Sequence, residues 1–173
     1  LTLILMLVGC LATVGLVSGC GSSSSNSSTA AQSSSSTTHF AKTKFLLHAG
    51  LAFGAFHRYI YKPFKAGDFK HPFLHKLTLV KAAVAALFVE HELRLAATDV
   101  KSSKILSKLF SPLTAVADKI SSLKDSIKDG SISSSDMDGV QSQLTSISKT
   151  ASSKGQSIQN AIPSAGQLAS GLG

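Results

Sequence analysis

From Leu106 to Ile162, apolar residues return at alternating steps of three and four, a spacing that points to helices and away from strands. Leu106, Leu109, Leu113, Val116, Ile120, Leu123 and Ile127 form a first row, broken only where Pro112 follows Phe110 and Ser111. Proline is tolerated in the first turn of a helix, so the helix either begins at Ser111 or kinks there. Asp129-Gly130 ends the row. A second row, Met137, Val140, Leu144, Ile147, Ala151, Ile158 and Ile162, keeps nearly the same spacing, with Lys154 at one seam position. Ser135 or Asp136 is placed to cap its start. Both rows approach the heptad pattern of a coiled coil. Polar residues fill the positions between, and Gly139 and Gly155 weaken the second helix. Pro163, Gly166 and the glycines after Ser170 predict a flexible tail over 163–173.

The region before these rows predicts a more apolar hairpin. Residues 41–61 read as a helix led by Lys42 and Lys44 and closed by Pro63, apolar over a wide arc, as a buried helix is. Gly50 and Gly54 share one stripe, which predicts a close helix crossing. The uncharged run from Phe45 to His57 includes His48 and is short for a membrane span. Residues 62–72 carry two prolines and a glycine and read as a loop. A second helix is expected from Phe73 to Val100. Leu74, Leu77, Val80, Val84, Leu87 and Phe88, with His91 or Leu95, take the three-and-four positions. Its alanine-rich middle, residues 81–86, is narrow enough to receive the glycine stripe, so Gly50 and Gly54 are expected to face Ala82, Ala83 or Ala86. The fold class is therefore all-α. It is either a small up-and-down bundle of two hairpins, 39–100 and 101–162, or an apolar hairpin carrying an elongated heptad-patterned arm.

The N-terminal part differs again. Leu1 to Val17 is almost wholly apolar, and Gly21 to Thr38 holds ten serines, three threonines and no charge. The tetrad Val17-Ser18-Gly19-Cys20 between them resembles the lipobox of bacterial lipoproteins. That resemblance covers only the first twenty residues. It implies a signal peptide over 1–19, cleavage before Cys20, and diacylglycerol on the Cys20 thiol, with two or three acyl chains, palmitate among them. Two or more chains hold a protein stably on a membrane. Leu7-Val8-Gly9-Cys10 is also lipobox-like, but cleavage there would leave Leu11 to Val17 as an apolar stub. An uncleaved anchor would be at the short end for a span. Residues 20–38 then form a lipidated cysteine and a flexible serine-rich linker, about 20–25 Å end to end as a random coil. With Cys10 lost and Cys20 acylated, the mature domain has no disulfide and no thiol chemistry.

The net charge of +8 is interpreted through that location. No nucleic-acid motif is present, and the polyanions outside a membrane are lipid headgroups and envelope polymers. Arg58, Lys62, Lys65, Lys70 and Lys76 stand against a single acid, Asp68, and are interleaved with Tyr59, Tyr61, Phe64, Phe69 and Phe73. Basic residues with aromatic rings suit an anionic interface, whereas rings folded inward would merely cap the bundle. Among the histidines, His48 is expected near Glu90 or His91 across the hairpin, and His57 near His75. Paired imidazoles between helices can hold haem iron or zinc. Hydrogen-bonded structural histidines are the plainer expectation, and no cofactor is assigned. There is no nucleophile triad, phosphate loop or cysteine cluster, so no enzyme is expected. Two function classes follow. One is a lipid-anchored structural or accessory protein of an envelope or membrane complex, meeting a protein partner or an anionic surface. The other is a module binding a small apolar ligand, haem or metal through His48, His57, His75 and His91. An exposed apolar face would favour the first, an enclosed chamber with converging histidines the second.

Overall fold

The computed structural model describes residues 29–170, and every regular element among them is helical. Helix α1, Thr29–Ala55, continues through a π-helical stretch, Phe56–Tyr61, into α2, Lys62–Ala66. Gly67 adopts a left-handed φ of 88° and stops it. A short 3₁₀ turn at Asp68–Lys70 precedes α3, Lys76–Lys101. A second 3₁₀ turn, Ser107–Leu109, leads into α4, Phe110–Asp129, followed by α5, Ser134–Ser153, and the short α6, Ala165–Ser170. The expected signal peptide, Cys20 and the part of the expected linker up to residue 28 lie outside the described residues.

Two stretches expected to lack regular structure are helical. Residues 29–38, assigned to the flexible linker, belong to α1. Ala30, Ala31 and Gln32 are good helix formers, serine costs only a few tenths of a kcal/mol (about 0.5), and extending an established helix needs no new nucleus. The expected loop at 62–72 begins only after Ala66. Pro63 lacks an N–H, and it sits in the first turn of α2 directly after the widened π stretch, where the helix accommodates it.

Helix α3 is central, with α1 along one side and α4 along the other. The end of α4 returns to the start of α3: a side chain at Gly130 would meet the Phe69 carbonyl and Leu79. Helix α5 folds back along α4, and the Lys119 ammonium donates to Asp136 at 2.6 Å where the two meet. Ser133, rather than Ser135 or Asp136, caps α5. Its hydroxyl accepts from the Asp136 N–H at 3.1 Å and donates to the Asp136 carboxylate at 2.8 Å. The α4 row is buried from Leu106 to Ile127, and the α5 row from Met137 to Ala151. Both rows face into the domain, and the heptad-patterned arm is not formed among the described residues.

The buried face of α3 keeps only Phe88 of the expected row fully inside, with Val84 half-buried. Leu79, Ala82, Ala85, Ala86, Phe88, Val89, Leu93, Ala96, Ala97 and Val100 point inward, while Leu74, Leu77, Val80, Leu87 and His91 are exposed. A helix with neighbours on two sides has small residues where both approach, because close-packed axes leave little room for leucines on each flank. Leu77, Val80 and Leu87 are left on the outer face.

The expected glycine–alanine crossing is also replaced. Helix α5 stops at Ser153, before Gly155, so Ile158 and Ile162 are not on its row. Residues 156–164 instead run back along α1 as an extended strap. A methyl at Gly50 or Gly54 would strike the backbone of Gln159 or Ala161, and the Ala161 N–H donates to the Gly50 carbonyl at 3.0 Å. The Tyr59 hydroxyl donates to the Pro163 carbonyl at 2.9 Å. Residues 163–170, expected within a flexible tail, hold α6, with Pro163 and Leu168 buried.

Candidate functional site

Two groups of residues stand out on this framework. The first joins α1 to α3. His48 Nδ1 lies 2.6 Å from a Glu92 carboxylate oxygen, and its Nε2 lies 3.9 Å from Asp99 Oδ2. Glu92 is buried, and Asp99 Oδ2 is buried without a hydrogen-bond partner. Burial pushes the Asp99 carboxyl above its ordinary value, partly opposed by the nearby charges of His48 and Lys44. A buried carboxylate is costly unless it is paired, so the imidazole is what makes Glu92 tolerable on α3. The arrangement clamps two helices. The expected partners of His48 were Glu90 and His91. Glu90 instead receives Arg94, which also reaches Asp118 on α4 at 3.0 Å, and His91 is exposed.

The other histidines do not converge. His57 stacks on Tyr61 with ring centres 6.0 Å apart and lines a hollow of about 190 Å³ beside Phe53, Gln141 and Lys149. His75 Nδ1 lies 3.9 Å from Asp68. Among the described residues, no group of three or more histidine, cysteine, aspartate or glutamate side chains could hold a metal ion.

The second group is the end of the bundle where α2 turns into α3. The two halves of the expected basic and aromatic surface separate here. Phe69 is buried, Phe64 meets it edge-on at 5.8 Å, and Tyr61 stacks on Phe56 at 6.0 Å, so these rings close the bundle. Arg58, Lys62, Lys65, Lys70 and Lys76 are exposed around them. Of the expected rings Phe73 does face outward, and it is joined by aliphatic residues at the start of α3. Phe73 is 85% exposed, Leu74 80%, Leu77 67% and Val80 57%. The Lys76 ammonium lies 5.8 Å from the centre of the Phe73 ring. Farther along the row, Leu168 of α6 joins Val80, Val84 and Tyr59 around a hollow of about 260 Å³. Spacing alone put Leu74, Leu77 and Val80 in the core. The overlooked signal is that lysines border this row on both sides, at Lys76 and Lys81.

None of the described helices is long and apolar enough to cross a membrane. In comparisons with known proteins, no family model matches the chain, and no curated protein and no solved structure shows significant similarity to it.

Proposed function

We propose that this chain is a lipid-anchored protein on the extracytoplasmic side of a bacterial membrane, with a structural or accessory role in an envelope or membrane complex and no catalysis of its own. In this reading Leu1 to Gly19 is the signal, Cys20 carries the lipid, and the short segment before Thr29 links it to the helical domain. The observation that carries it is the Val17-Ser18-Gly19-Cys20 tetrad, set between an apolar run and a serine-rich stretch without charge.

Two structural observations favour this reading over a ligand-binding module. The outward row on α3 leaves apolar surface available to a partner. A ligand module needs an enclosed chamber with converging polar groups, whereas His48, His57, His75 and His91 lie apart. Intact mass of the mature protein, extracted from its membrane, tests the anchoring. The expected result is a chain starting at Cys20 with the added mass of diacylglycerol. A different first residue, or Cys20 without acyl mass, overturns it.

A further inference from the structure

The apolar row at the start of α3 has a charge pattern that names its partner. Between residues 58 and 81 the chain carries six basic side chains, Arg58, Lys62, Lys65, Lys70, Lys76 and Lys81, and one acid, Asp68. At about 100° per residue, Lys76 and Lys81 fall on opposite sides of the line through Leu77, Val80, Val84 and Leu87. An apolar stripe bordered by lysines on both flanks is how a helix lies in a lipid interface, with the ammonium groups reaching up to the phosphates. We infer that this face enters the headgroup–acyl boundary of an anionic bilayer through Phe73, Leu74, Leu77 and Val80, with Lys70, Lys76 and Lys81 at its phosphates.

The orientation follows from the tether, and to that extent rests on the anchored reading above; the lipid contact itself does not. The helix from Thr29 to Ala66 is continuous and roughly 55 Å long. Cys20 lies nine residues before Thr29, a stretch that reaches no more than about 30 Å fully extended. A bundle standing on its Phe73 end would lift Thr29 beyond that reach. Lying on the outer face of α3, it keeps both the tether and the row at the surface. Leu77, Val80 and Leu87 are exposed over about 15 Å of the helix axis, with Val84 half-buried beside Leu168 of α6, so the row meets the bilayer at these exposed positions along its length. Because the tether already holds the domain close, a weak contact suffices to keep it in this pose.

The test uses residues 20–173 with Cys20→Ser, a chain that contains every described residue and carries no acyl group, so its result is independent of whether Cys20 is lipidated. It is sedimented with vesicles of phosphatidylcholine alone or mixed with phosphatidylglycerol. The expected result is binding to the anionic vesicles at low salt, weakened several-fold near about 0.5 M salt. Leu77→Gln combined with Val80→Gln should lower binding about tenfold with helicity unchanged. Phe73→Ser with Leu74→Ser, which precede the helix, should do the same and serves where helicity changes. The chain has no tryptophan, so Phe73→Trp and Leu87→Trp report insertion singly, and both should shift to the blue with anionic vesicles. A shift at Phe73→Trp alone overturns the side-on pose. Binding to neither vesicle type, or binding undiminished in both double variants, overturns the lipid face. Concentration-dependent self-association abolished by those same variants would then assign the row to a second copy of the chain.

Discussion

Helices α4 and α5 bury their apolar rows, whereas α3 buries several alanines together with Leu79, Phe88, Val89 and Leu93 and still leaves Leu77, Val80 and Leu87 outward. The contrast follows from position. Helix α5 lies at the edge of the bundle and α4 carries polar residues between its apolar positions, so in each the apolar row and the buried face coincide. Helix α3 lies between two neighbours, and what must fit there is decided by width as much as by hydrophobicity. Apolar spacing therefore locates the core of an amphipathic helix, but on a helix apolar most of the way round it locates only candidate faces.

Truncation at matched leucines is the sharpest way to break this contrast. Leu113→Ala, in the α4 row and fully buried, should cost about 2–5 kcal/mol. Leu77→Ala, in the outer row of α3, should stay within about 0.5 kcal/mol. Urea unfolding of both variants decides it, and a comparable loss at Leu77 would place that row against a neighbour. Glycines give a second, smaller contrast. Gly54→Ala drives a methyl into the strap at Ala161 and should cost about 1–3 kcal/mol through overpacking. Gly139→Ala, in α5 with open space around it, should gain about 0.5–1 kcal/mol from helix propensity. Thermal melts of the pair test whether the strap is what the first glycine serves.

Ser133→Ala removes the cap of α5 and should cost about 1 kcal/mol, read as a lowered midpoint in the same melts. The smallest effect is in pH dependence, where the two regions carry opposite signs. Burial raises Asp99 above its ordinary 3.8 in the folded chain. Its protonated form therefore favours folding at low pH, and that contribution is lost as pH rises from the ordinary value through the raised one. Lys119, and then Ser133, hold Asp136 below 3.8. The stability that Asp136 contributes is thus present above that value and lost as pH falls through the lowered one. Unfolding midpoints measured across the acid range should decline less with rising pH in Asp99→Asn, and less with falling pH in Asp136→Asn. Profiles identical to the parent in both variants would remove these two groups from the pH dependence.

The helical class and the seams from Leu106 to Ile127 and from Met137 to Ala151 were legible because large apolar residues there alternate with polar ones. Gly50 and Gly54 correctly signalled a close approach, since only a missing side chain makes room for another backbone. They carried no information on which backbone arrives. The strap at 156–164 has neither helical nor strand periodicity, so its course depends on contacts that no local pattern encodes. The partner of His48 was displaced for a related reason. Helix continued through Pro63 to Ala66, moving the turn and shifting the register of α3 so that Glu92 replaced Glu90. At the basic end, composition identified which residues gather but not which turn inward. Phe69 and Phe73 are four positions apart in one loop, and they differ in whether the start of α3 covers them.

The strap also sets an order of events. Contacts between α3, α4 and α5 join neighbours in sequence, whereas the bond from Ala161 to Gly50 and that from Tyr59 to Pro163 each close a loop of more than about a hundred residues. Loop closure grows costlier with length, if slowly, and non-local pairings form late. A chain emerging from its N-terminus, from a ribosome or a translocation channel, can assemble α3 with α4 while the groove over Gly50 and Gly54 still stands open. That groove is sealed only when residue 163 has come free, which makes the strap a latch on a largely assembled domain.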